Sequence, residues 1–228
     1  IKPIDHYTYV FLGDGCLMEG ISHEACSFAG THELGKLICF YDKNGISIDG
    51  EIDNWFTDDS VKRFESYGWQ TICVDGHNVE EISEAISKAK EESKKPSMIF
   101  CKTTIGFGSP NKSGTADVHG APLGDEEIEK TREALGWQYS AFEIPKDVYD
   151  FWDSKKSGAE KNATWENSIK SYKDKYPNDS LELERRIKGD MPAKFEQNFL
   201  DFLNDCNTNN LPMATRKASK ACLDFFVK

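Results

Sequence analysis

The chain has no surplus of basic residues: 28 Lys and Arg stand against 39 Asp and Glu, a formal net charge of −11. That balance argues against a phosphate-backbone binder, whose affinity rests on clustered cations, so no nucleic-acid partner is expected. There is no run of eighteen apolar residues, so no membrane partner is expected. No signal-peptide pattern opens the sequence, and a cytoplasmic location is expected. The seven cysteines include no C-x-x-C pair and are scattered, so they read as reduced core cysteines. In that compartment the sequons at Asn111, Asn162 and Asn178 are chance matches. Internal repeats and low-complexity segments are absent. An initiator Met is missing too, and a strand-like run starts within a few residues of Ile1, so the expectation is that this is not a natural N-terminus. What is present is 228 residues with 38% hydrophobic content, ample for a buried core.

From the start to about residue 144, short apolar runs alternate with amphipathic stretches, the pattern of a parallel sheet covered by helices. Strands are expected at 8–12, 37–41, 70–74 and 98–102, the first two as buried strands. Helices are expected at 19–34, 58–67, 79–94 and 125–135, the last with Asp125, Glu126 and Glu127 complementing its N-terminal dipole. Residues 103–124 form a loop with glycines at 106, 108, 114, 120 and 124, too long for an ordinary connection and therefore expected to be functional. Beyond Pro145 the sequence turns to charged helices with a break at 176–179. A last amphipathic helix begins at Thr215 and is read as the opening of a further domain.

In an open parallel sheet, ligands gather at the carboxyl ends of the strands. Asp14 sits there between Gly13 and Gly15, glycines that let a backbone approach a diphosphate closely. After 28 intervening residues Asn44 stands in the loop following the next strand. A carboxylate oxygen, an amide oxygen and a carbonyl from the turn at Gly45-Ile46 make an all-oxygen donor set suited to Mg²⁺ or Ca²⁺. A Gly-Asp-Gly alone marks only a turn; the spacing and the strand-end context raise it to a metal-site candidate. His119 lies in the glycine-rich loop, where an imidazole can donate to a phosphate or exchange protons near neutral pH. His23, His32 and His77 read as surface residues, and Trp55-Phe56 as core or interface packing rather than a stacking platform.

The run from Gly13 to Glu24 followed by Tyr41-Asp42-Lys43-Asn44-Gly45-Ile46-Ser47-Ile48 resembles the thiamine-diphosphate motif in its transketolase form. The resemblance continues through Trp55-Phe56-Thr57-Asp58-Asp59, Asp75-Gly76-His77, the stretch from Lys102 to Lys112, His119-Gly120-Ala121-Pro122-Leu123-Gly124 and Arg216-Lys217-Ala218-Ser219. It implies an α/β three-layer fold, a parallel sheet flanked by helices, in a diphosphate-binding domain at 1–144 truncated at its start. A helical linker at 145–212 and the start of a pyrimidine-binding domain at 213–228 would follow.

Carried over, the resemblance makes Asp14 and Asn44 side-chain metal ligands and Ile46 a carbonyl ligand. Gly13 and Gly15 would meet the diphosphate, Gly15 through its amide, with Asn44 beside it, and Ile48 would pack against the thiazolium side. His119 would be the active-site histidine near diphosphate and substrate. Glu19 and Glu24 match acidic positions near the dimer interface. The family often has a second histidine where this chain has Ala116, so that role lapses here. The implied cofactors are thiamine diphosphate and Mg²⁺ or Ca²⁺. The implied whole is a homodimer transferring a two-carbon ketol unit between sugar phosphates, of which this piece would be inactive alone. A dihydroxyacetone synthase-like enzyme and a non-catalytic cofactor-binding piece are the alternatives.

Overall fold

Short runs of β-branched, aromatic and aliphatic residues make the strands. In the computed structural model, which describes residues 2–48, 50–209 and 213–227, β1 (Thr8–Gly13) runs straight into a short helix, α1 (Asp14–Met18), and then α2 (Gly20–Thr31). Next come β2 (Leu37–Lys43), the two-residue strands β3 (Ile46–Ser47) and β4 (Gly50–Glu51), α3 (Ser60–Ser66), β5 (Gln70–Asp75), α4 (Val79–Glu91) and β6 (Ser97–Lys102). The long loop carries a 3-10 turn at Ala116–Val118 and leads to α5 (Asp125–Ala134) and α6 (Lys146–Trp152). Helices α7 (Lys155–Lys175), α8 (Pro177–Lys188), α9 (Phe195–Asn209) and α10 (Thr215–Val227) follow.

The principal sheet has the order β1-β2-β6-β5, with every neighbouring pair parallel. Alternation along the strands divides the core between its two faces. On one face Cys39 and Tyr41 of β2 join Met98 and Phe100 of β6, packed under Leu17, Ala29, Phe64 and Trp69. On the other, Ile38, Phe40, Ile99 and Cys101 meet Ala85 and Ala89 of α4. This is the expected three-layer α/β arrangement. The packing is close: a Cβ added to Gly30 of α2 would lie 1.8 Å from the Tyr67 carbonyl oxygen. Local sequence starts the helices as capping chemistry requires. Asn78 accepts from the amides of Glu80 and Glu81 ahead of α4, and Asp59 accepts from the Lys62 amide in α3.

Several expectations need correction. β1 was expected to be buried, but it is the sheet's edge strand, and Phe11 is 79% exposed. Pro177 does not prolong a break: it opens α8 from the first turn, where its missing N–H costs nothing. The cysteines are unpaired as expected, yet Cys16, Cys73 and Cys206 are exposed, and only Cys39 and Cys101 are buried. Burial pushes the Cys39 thiol up to about 12, which makes it a poor nucleophile.

The chain divides into two compact units, one spanning Asp5–Trp152 and the other taking the residues from Asp153 onward with the first few of the chain. In the latter, Trp165 donates its indole N–H to the Pro3 carbonyl at 3.1 Å, and Lys173 of α7 pairs with Glu184 of α8 at 3.1 Å. Rings of Phe195, Phe199 and Phe202 on α9 pack against those of Phe225 and Phe226 on α10. No helix among the described residues is long and apolar enough to cross a membrane.

Candidate functional site

Parallel register places the strand ends side by side. Gly13 is opposite Asp42, and Lys43 and Asp75 are both opposite Lys102. The segments that begin at Asp14, Asn44, Gly76 and Thr103 therefore leave the same edge of the sheet, the edge where ligands of such sheets bind.

Asp14 is the first residue of α1, and only 2% of its surface is exposed. The Gly-Asp-Gly segment is thus a strand-to-helix junction rather than a free turn. A Cβ at Gly13 or Gly15 would meet nothing within 4 Å, so protein packing does not demand glycine at either position. One Asp14 oxygen accepts from the buried Tyr41 hydroxyl; the other accepts from the Gly45 amide at 3.0 Å. Burial, together with the adjacent Asp14 carboxylate, drives the Tyr41 hydroxyl well above the usual phenol range, so it stays a donor at any physiological pH.

That Gly45 amide ties the Asp14 carboxylate to the turn carrying the other two metal candidates. Asn44 Oδ1 accepts from the Ile46 amide at 2.9 Å, and Asn44 Nδ2 donates to Asp42 Oδ2 at 3.1 Å. Asp42 is held in turn by the Thr103 hydroxyl. Asp14, Asn44 and Ile46 are therefore brought to one place, and each of the two side chains keeps oxygen lone pairs beyond those its hydrogen bonds use. An all-oxygen set of this kind suits a hard divalent cation. Ile46 opens the small hairpin, with a buried side chain and positive-φ Gly45 before it. Ile48 in the following turn is 75% exposed.

The glycine-rich loop is tethered at both ends. Its start is fixed by the Thr103 hydroxyl on Asp42 and by the Thr104 amide, which donates to His77 Nε2 at 2.9 Å. Since an amide can only donate, that ring nitrogen carries no proton, and the His77 ring also stacks on Phe107 with centroids 4.1 Å apart. Further along, Glu127 of α5 accepts from the Ser109 hydroxyl and, at 2.8 Å each, from the Asn111 amide and side chain. Lys112 donates to the Leu123 carbonyl at 2.7 Å. Close approach at Gly108 fits this order: its φ is +91°, and a Cβ would lie 2.6 Å from Leu135. His119 ends the 3-10 turn, is exposed, and its ring makes no hydrogen bond among the described residues.

The Glu127 clasp has a pH signature. Hydrogen bonds from Ser109 and then Asn111 bring its carboxyl down from the ordinary 4.5 to about 2. A folded value below the unfolded one gives stability that is full above the unfolded value and lost as pH falls through the folded value. The melting-temperature gap between wild type and Glu127→Gln should therefore be constant above about pH 5 and close as pH falls toward 2. Thermal unfolding followed across that range checks it; a gap independent of pH would contradict it.

Some structural contacts were not visible in local sequence. His77 is exposed, as expected, and it is also a loop tether that the β5–β6 pairing brings to Thr104. His23 is also engaged, its Nδ1 lying 2.8 Å from the Tyr67 hydroxyl. Glu127 does more than complement a dipole. Phe56 packs on the core, one of the two expected placements, and Trp55 is 85% exposed. Glu19 precedes α2 without a side-chain capping bond, and Glu24 is exposed.

Comparison with known proteins places these features in a family. Residues 1–192 match the family described as transketolase, thiamine diphosphate binding domain. The chain is 57% identical over 226 residues to transketolase 1 of Vibrio vulnificus, covering 99% of this chain and 34% of that protein. To transketolase 1 of Escherichia coli it is 53% identical over 224 residues, covering 98% and 34%. Among solved structures, a transketolase from Leishmania mexicana matches with TM-score 0.80 and 37% identity over 98% of this chain and 33% of that one. A Pichia stipitis transketolase in complex with sedoheptulose-7-phosphate matches with TM-score 0.77 and 42% identity, over 85% and 29%. The chain thus spans about a third of the length of the curated relatives it matches. These relatives do not favour the dihydroxyacetone synthase alternative. The chain belongs to the transketolase family, its residues 1–192 matching the thiamine diphosphate binding domain.

Proposed function

We propose that this chain supplies the half of a transketolase active site that holds the diphosphate of thiamine diphosphate through a divalent cation, Mg²⁺ or Ca²⁺. The observation that supports it most is the link between Asp14 and the Asn44–Ile46 turn: a buried carboxylate bonded to the Gly45 amide, in a turn where the Asn44 amide oxygen accepts from the Ile46 amide. In this reading Asp14, Asn44 and the Ile46 carbonyl hold the metal, and the Gly13 and Gly15 backbone faces the diphosphate. Ile48, exposed as it stands, packs against the thiazolium side. When bound, the cofactor supplies the carbanion chemistry, and the protein contributes orientation, charge and hydrogen bonds. His119 donates a hydrogen bond, or moves a proton, at the bound phosphate or the sugar oxygen.

The whole protein then carries a two-carbon ketol unit from a ketose phosphate to an aldose phosphate, as a cytoplasmic homodimer in the pentose phosphate pathway. Residues 1–144 belong to the diphosphate domain, 145–212 to a helical linker and 213–228 to the start of a pyrimidine-binding domain. The chain alone lacks the groups that would surround the pyrimidine. Ketol transfer assayed with a ketose phosphate donor and an aldose phosphate acceptor should therefore be present in a full-length transketolase carrying these residues and absent from the 228-residue chain. Turnover by the short chain, or none in the full-length protein, would overturn the proposal.

A further inference from the structure

We propose that Tyr41 and Asp42, consecutive at the end of β2, are positioning residues that hold the two side-chain metal ligands from opposite faces of the sheet; this rests on the metal reading above. Successive strand side chains point to opposite faces. Tyr41 turns inward, 1% exposed, with its ring edge-on to Phe100 and its hydroxyl on Asp14. Asp42 turns the other way and reaches Asn44 and Thr103.

Each contact removes a freedom that would weaken a metal ligand. With Tyr41 on one oxygen and the Gly45 amide on the other, the Asp14 carboxylate cannot rotate without losing a bond. Both oxygens still keep a lone pair for a cation. The Tyr41 donor is fixed by core packing rather than drawn from solvent, so its ordering cost is met when the core folds.

Asn44 poses a different problem, because its amide has a donor end and an acceptor end of nearly equal shape. Asp42 decides between them. With Nδ2 on the Asp42 carboxylate at 3.1 Å, Oδ1 lies toward the Ile46 amide at 2.9 Å and retains a lone pair for the metal. The flipped amide would set oxygen against carboxylate and N–H against N–H, both repulsive. The Thr103 hydroxyl steadies Asp42, so the start of the glycine-rich loop and the metal turn share one carboxylate. Outer partners of this sort typically change metal affinity by about 10–100-fold when removed.

The test is calorimetric titration of Ca²⁺ into a full-length transketolase carrying this segment, at saturating thiamine diphosphate, with thermal unfolding of the metal-free protein measured alongside. Tyr41→Phe and Asp42→Ala should each weaken the Ca²⁺ Kd by about 10–100-fold. Asp42→Asn should restore it to within a few-fold, since an amide oxygen still accepts from Asn44 Nδ2. Asp42 is exposed, so its variants should melt like wild type even if Tyr41→Phe does not. Three results would overturn the inference. The first is a Kd unchanged in Asp42→Ala while Asp14→Asn loses binding, which leaves the metal reading standing and removes the positioning role. The second is Asp42→Asn as weak as Asp42→Ala, which would make Asp42 a distant charge rather than an orienting acceptor. The third is wild-type affinity in Asp14→Asn, which removes the metal reading itself.

Discussion

Asp14→Asn should lower the affinity for Mg²⁺ or Ca²⁺ with thiamine diphosphate by about a hundredfold or more, beyond the usual effect of losing an outer partner of a metal site. The substitution keeps the shape and one acceptor oxygen but removes the only carboxylate among the three proposed ligands. It also obliges the amide to present an NH₂ to one of two donors, the Tyr41 hydroxyl or the Gly45 amide. A buried donor left without an acceptor costs about 1–3 kcal/mol, so a lower melting temperature is expected as well. Calorimetry with metal and cofactor reads the first effect and thermal unfolding without either reads the second. Undiminished metal binding in a folded variant would remove Asp14 from the site.

His119→Ala in a full-length transketolase should reduce turnover by about ten- to ten-thousand-fold, the range for losing a positioned acid-base or hydrogen-bonding group. The melting temperature should not move, because the imidazole is exposed and makes no hydrogen bond among the described residues. A solvated bystander would leave both quantities unchanged, whereas a structural histidine would lower stability together with activity. Steady-state kinetics and unfolding of the same variant separate the three cases.

Much of the fold was legible because apolar runs such as Leu37 to Tyr41 and Met98 to Phe100 admit few readings in a chain that also carries helical periodicity. The parallel α/β sheet follows from that alternation. What local sequence withheld was position within the sheet. Tyr9 and Phe11 read as core, yet they lie on an edge strand, since strand order is set by long-range pairing rather than by composition. The hairpin of β3 and β4 was missed because two-residue strands leave no alternation to detect. At the site, Asp14, Asn44 and Ile46 are proposed from spacing and resemblance. Their supporting partners were not legible there, although Tyr41 and Asp42 lie only three and two residues before Asn44. A hydroxyl reaching across from β2 to α1 depends on strand register, which the sequence expresses only through the assembled sheet. The same holds for His77 on Thr104 and Glu127 on Ser109, pairs separated by 27 and 18 positions.

The central claim is that one divalent cation is held by the Asp14 and Asn44 side chains and the Ile46 carbonyl. Anomalous scattering from Mn²⁺, in crystals of a full-length transketolase carrying this segment grown with thiamine diphosphate, tests it most directly. The account predicts a single peak at the strand ends with Asp14, Asn44 and the Ile46 carbonyl oxygen all within about 2.0–2.6 Å. A peak elsewhere, or one reached by Asp14 but not by Asn44 and Ile46, would contradict it.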